Sequence, residues 1–251
     1  MELVGTWHAA SLHKGCARHE IRDNNMKKTL FLIVICAVLT SCSPTLYYQM
    51  YQTEPITARV EINDNVLVYE DDNCVVSYNF WRENGDFGFK IYNKNTENIY
   101  LHMDECFFVK NGMAYDYYDF GVEPEVICVP AKTAKIVSEF KIASGIYHDC
   151  DLYLNPGKKD KISVSFTQEN TPLKFGNIIA YSVGDTKSSL IRFNNDFYIS
   201  KVSNYKYKDI IKTENKTECG KKLSEKETIV TESAPDRFYN SYIIKTNAKK
   251  H

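Results

Sequence analysis

Cys42 is the residue of this sequence best placed for covalent chemistry. A thiolate is a good nucleophile, and here it follows Leu39, Thr40 and Ser41 at the close of an apolar run. The small residues before it leave the backbone open to a peptidase. Other reactive side chains are scattered further on. His102, Asp104, Glu105 and Cys106 fall near the end of a strand-like stretch. A Cys–His pair acts as a nucleophile only where a third group orients the base. His148, Asp149, Cys150 and Asp151 are metal-binding types, yet adjacent residues seldom converge on one ion, so a polar loop is the simpler reading. Phe80, Trp81, Tyr115, Tyr117 and Tyr118 could form a flat face for a sugar, although cross-strand packing accounts for them more simply. His8, His13, Cys16 and His19 fit no common zinc spacing. No catalytic residue, metal site or cofactor is assigned from these patterns.

The segment around Cys42 explains its position. Lys27 and Lys28 open it, and an apolar run from Leu30 to Leu39 follows. A charged start, a short apolar middle and small residues before a cut mark a secretory signal. The run is too short to span a bilayer stably, which takes about 20 apolar residues. Leu39-Thr40-Ser41-Cys42 resembles the bacterial lipobox at all four positions. That resemblance implies a diacylglyceryl group on Cys42, cleavage between Ser41 and Cys42, and acylation of the new amino end, as by palmitate. Acyl chains contribute roughly 0.8 kcal/mol per buried CH₂, so several of them make a stable membrane anchor.

The chain therefore divides into expected segments. Residues 1–25 form a polar leader holding three of the six histidines. Such a leader is unusual before a signal, so it is expected to be an over-called, disordered extension, with Met26 the start. Residues 26–41 are the helical signal peptide, and 42–55 the tether, where Tyr47, Tyr48 and Tyr51 suit either a membrane interface or a first strand. Residues 56–204 make the β domain. Lys and Glu dominate 205–235, which reads as a flexible charged arm, and 236–251 is a last strand or a tail. Beyond the signal the chain carries a slight excess of acidic over basic residues, which gives no reason to expect nucleic acid.

The body reads as strands. Residues 74–81 and 87–92 alternate around a polar turn and form an expected hairpin. Asn111-Gly112 between 106–110 and 113–118 is the strongest local hairpin signal, since both residues tolerate positive φ. Further strands are expected at 99–103, 135–142, 161–166 and 175–183, with 144–157 a loop. Asn194-Asn195-Asp196 is read as a turn between 190–193 and 197–202. No long 3.6-residue period appears. The expectation is a mainly β protein, an antiparallel β-sandwich (immunoglobulin-like) after the helical lipoprotein signal peptide.

Several blocks in 67–118 support a family likeness. Val68 to Cys74, Tyr78 to Trp81, Gly88 to Lys94 and Phe107 to Tyr118 resemble blocks of uncharacterised lipoproteins of the Bacteroidetes type. The resemblance implies lipidation and a sandwich-like domain, and carries no catalytic residue. There is no acidic cluster just after Cys42, so the domain is expected to face the periplasm from the outer membrane. The expected role is non-catalytic, binding or structural, with an envelope protein as partner beside the bilayer that holds Cys42. The alternative is a periplasmic hydrolase using His102 or His148.

Five cysteines follow Cys42, and the envelope is oxidising. Cys74 is in phase with Val76, Tyr78 and Phe80, and is assigned to the core as a small hydrophobe. Cys219 lies in the charged arm. Of the remainder, Cys128 and Cys150 are the expected disulfide.

Overall fold

The computed structural model describes residues 44–118, 121–137, 140–156 and 162–244. The leader, the signal peptide, Ser41 and Cys42 lie outside the described residues. In chain order the strands are β1 (Thr45–Pro55), β2 (Val60–Asn63), β3 (Val66–Glu70), β4 (Cys74–Tyr78), β5 (Phe89–Asn93), β6 (Ile99–His102), β7 (Phe107–Lys110) and β8 (Met113–Asp116). They continue as β9 (Val126–Val129), β10 (Ala134–Val137), β11 (Ser163–Ser165), β12 (Lys174–Val183), β13 (Ile191–Lys206), β14 (Ile211–Glu218), β15 (Lys221–Val230) and β16 (Arg237–Ile244).

Two antiparallel sheets pack face to face in a sandwich-like arrangement. The larger, of nine strands, runs β16-β1-β13-β12-β6-β9, with β11 paired to β13, and β7 to both β12 and β8. The smaller, of five strands, runs β10-β5-β4-β3-β2. Strand alternation sets the interface. Cys74, Val76 and Tyr78 of β4 face inward with Phe89 and Ile91 of β5, as a period of two requires. Opposite them stand Phe175, Ile179 and Tyr181 of β12 and Phe197 and Ile199 of β13. Phe80 meets Phe197 edge to face, centroids 5.0 Å apart at 87°, and Phe175 at 5.5 Å and 72°. Such pairs add about 0.5–1.5 kcal/mol each beyond the area they bury.

The Asn111-Gly112 hairpin forms between β7 and β8, with φ of 47° and 79° at the two turn residues. The first expected hairpin also forms, β4 against β5. Three expectations are corrected. Residues 45–55, expected within a tether, are β1, an interior strand held between β13 and β16. Of the two readings left open for 236–251, a last strand or a tail, residues 237–244 take the first and join the sheet as β16. The flexible arm is an antiparallel ribbon, β14 with β15, turning at Cys219 and Gly220. Its strands are solvent-exposed almost throughout, so no hydrophobic alternation marks them.

The third correction concerns Asn194-Asn195-Asp196, where β13 runs straight through. Asn195 points into the core, and its amide donates to the Tyr78 hydroxyl at 2.6 Å. The Tyr78 hydroxyl donates in turn to Asn177 Oδ1 at 3.0 Å. Burial pushes the Tyr78 hydroxyl's pKa far up. Beside this pair β13 approaches β12 closely, and a Cβ at Gly176 would stand 2.5 Å from the Asn195 carbonyl oxygen. Only glycine fits there.

The edge of the larger sheet at β16 is covered. The β4–β5 connection runs beside it: Asn84 N donates to Tyr239 O at 2.8 Å and Tyr239 N to Arg82 O at 3.3 Å. This satisfies backbone groups that would otherwise template another chain.

Replacing Tyr78 with Phe removes one hydroxyl and strands two buried amide atoms. The expected loss is about 1–3 kcal/mol in urea unfolding. Tyr198→Phe, whose hydroxyl meets the exposed Glu54 at 2.6 Å, is expected to lose less than about 1 kcal/mol.

Candidate functional site

His102 and Cys106 sit close in sequence, and the structure turns their side chains to different partners. His102, on β6, places Nε2 3.0 Å from Ser182 Oγ. Ser182 has no exposed surface, so that hydroxyl is shut off from any substrate. Cys106 is fully buried; Ala180 N donates to its sulfur at 3.3 Å. Burial pushes the Cys106 thiol up to about 11, which keeps it protonated and unreactive near neutral pH. Glu105 is held by Arg192 at 3.1 Å.

His148 is exposed beside a tight turn. Asp149 fixes that turn, accepting from Asp151 N at 2.7 Å and from the Tyr147 hydroxyl at 3.0 Å. Among the described residues no group of three or more His, Cys, Asp or Glu is arranged to hold a metal ion. The aromatic face does not assemble. Phe80 is in the core, Trp81 rests on Tyr239 at 5.2 Å, and Tyr117 packs against Phe140 at 5.2 Å.

Cys128 and Cys150 are both free thiols, which corrects the expected disulfide. Cys128 lies on β9, at one end of the larger sheet, opposite Tyr100. Cys150 lies in the loop that packs over β1, β13 and β16. Four strand spacings separate β9 from β1, roughly 19 Å at the usual interstrand distance. A disulfide needs its Cα atoms within about 7 Å.

That loop is held by a row of buried amides. Asn240, Gln49 and Asn204 stand directly opposite one another on β16, β1 and β13, all buried. Gln49 Nε2 donates to Tyr147 O at 2.9 Å and to Asn204 Oδ1 at 3.0 Å. Asn204 Nδ2 donates to Tyr153 O at 2.9 Å. Asn240 donates to Gly145 O, and so does the Tyr51 hydroxyl at 3.2 Å. Tyr242 closes the far end, its hydroxyl donating to Leu154 O at 2.6 Å. Side-chain amides thus take the place of a further strand, satisfying loop backbone that has no ladder partner.

Beside this clamp the sandwich opens into a groove of about 250 Å³. Tyr51, Leu173 and Ile199 line it on the core side; Gly145 and Ile146 of the clamped loop line the other, with Lys110 also on the wall. It is shallow, and among the described grooves it has the most apolar lining. The sequence carried a faint signal of the clamp: Gln49 stands in phase between Tyr47 and Tyr51 on β1, a polar residue on an aromatic face. The partners came from strands over 150 residues away, which no local pattern reports.

Comparison with known proteins finds no matching family model, no matching curated protein and no matching solved structure.

In the native, unreduced chain, iodoacetamide is expected to label Cys128, Cys150 and Cys219, while Cys74 and Cys106 react only after unfolding. A peptide map showing Cys128 joined to Cys150 would contradict this placement.

Proposed function

We propose that this chain is an envelope lipoprotein, cut between Ser41 and Cys42 and held in the outer membrane by acyl groups on Cys42. Its β domain then faces the periplasm in a non-catalytic role, binding or structural. One coincidence carries the reading: among the described residues the first strand begins at Thr45, just after the residue where the lipobox pattern would start the mature chain. Sequence chemistry and the first described strand thus support the same boundary. The resemblance to Bacteroidetes-type lipoproteins supports the same conclusion.

With β1 starting so soon, little chain separates anchor from domain. Three residues reach at most about 10 Å, so the acyl chains would hold the domain close to the bilayer. A protein partner would then meet the domain's free edges. The edge strands β2 and β10 support such a contact, with Ile62 57% and Ile136 77% exposed. Sheet edges of this kind accept an added strand.

The hydrolase alternative has less behind it. The hydroxyl partner of His102 is inaccessible, the Cys106 thiol is protonated, and His148 lies beside a turn ordered by its own hydrogen bonds.

In cells fed labelled palmitate, the chain is expected to carry label and Cys42→Ala to carry none. Label retained by the variant would overturn the lipidation.

A further inference from the structure

Lys110 occupies a position that a core residue should hold. It follows Phe108 by two along β7, so both side chains leave the same side of the strand. Phe108 is buried, and the residue opposite Lys110 on β12 is Phe175, also buried. The turn that follows is pinned: Asn111 N donates to Lys174 O at 2.8 Å, and Lys174 N donates to Asn111 Oδ1 at 2.8 Å. The backbone therefore fixes the lysine at the mouth of the groove. No carboxylate among the described residues pairs with it.

A cation turned toward an apolar wall without a counter-charge is unfavourable. Partial burial lowers the pKa of the Lys110 ammonium from the ordinary lysine value. Asn111 and Ser144 add neutral polar groups, and the rest of the wall is mostly apolar, with Ile146, Pro172, Leu173 and Ile199 in it. One positive group at the rim of a small apolar groove matches a ligand with one negative group and a short apolar tail. The volume of about 250 Å³ lies just under the usual range for ligand pockets, which suits a small molecule rather than a drug-sized one.

We propose that this groove binds a small monocarboxylate with a short apolar tail, the carboxylate on the Lys110 ammonium and the tail against Leu173 and Ile199. The loop rim is held at Gly145 O by Tyr51 and Asn240 and at Tyr147 O by Gln49. This deepens the binding role proposed above and is independent of the anchor, since every residue in it belongs to the folded domain.

The probe is hexanoate, titrated into the purified full chain by calorimetry, with 1-hexanol as a neutral analogue and acetate as a tailless one. Saturable one-to-one binding of hexanoate is expected, with acetate far weaker. Lys110→Met keeps the length of the stem and removes the charge; it should weaken hexanoate about tenfold, in line with a lost charged hydrogen bond. Its affinity for 1-hexanol should be unchanged. Lys110→Arg should retain hexanoate binding, since a guanidinium also pairs with carboxylate, and Leu173→Trp, which fills the floor, should abolish it. The proposal is overturned if hexanoate does not saturate, if acetate binds as well as hexanoate, or if Lys110→Met binds hexanoate like the parent chain. Should Lys110→Met fail to fold, Lys110→Arg and Leu173→Trp decide alone: equal hexanoate binding by Leu173→Trp and the parent rejects the site. Palmitate labelling of the same preparations reports the anchor separately, so loss of one reading leaves the other standing.

Discussion

The two sheets meet at Tyr78, and its hydroxyl is the constraint on which the rest turns. A tyrosine with 1% of its surface exposed must have its polar end satisfied. Asn195 and Asn177 do this from adjacent strands of the other sheet. Asn195 can reach only if β13 continues through a sequence that looks like a turn. A continuous β13 is long, 16 residues, and that length lets it pair with β12 along one half and with β1 and β11 along the other. The larger sheet is therefore assembled on a strand whose course is fixed by a buried hydrogen bond.

The parts of this fold legible in the sequence are those governed by short-range rules. Cys74, Val76, Tyr78 and Phe80 alternate with polar neighbours, and so β4 and its core face could be read directly. Asn111-Gly112 supplies two residues suited to positive φ, which decides a hairpin without reference to anything distant. The failures share one cause. Asn194-Asn195-Asp196 looks like a turn until Tyr78, over a hundred residues earlier, is known to need a partner. The ribbon at β14 and β15 has neither face buried, so hydrophobic patterning had nothing to report. β1 was ambiguous because an interior strand with both faces covered loses its clean alternation.

The candidate site was less legible than the fold. Reactive residue types drew attention to His102, Cys106, His148 and Cys150, and each is occupied with structural work or isolated on the surface. The clamp of Asn240, Gln49 and Asn204 is made of unremarkable amides, and its meaning comes only from their alignment across three strands. Lys110 could have been singled out, since it follows Phe108 in phase. A lysine at a strand end is ordinarily a solvated one with its stem along apolar surface, and only the groove beside it changes that reading.

β1 links these layers. Its inner face packs Tyr51 on Phe238 at 4.7 Å and presents Gln49 to the clamp. Residues 45–55 are thus an integral strand of the larger sheet. Hydrogen–deuterium exchange of the purified chain tests this most directly. The account predicts that amides of β1 are protected as strongly as those of β12 and β13, while those of the exposed β14–β15 ribbon exchange far faster. Exchange across 45–55 as rapid as that of the ribbon would contradict it.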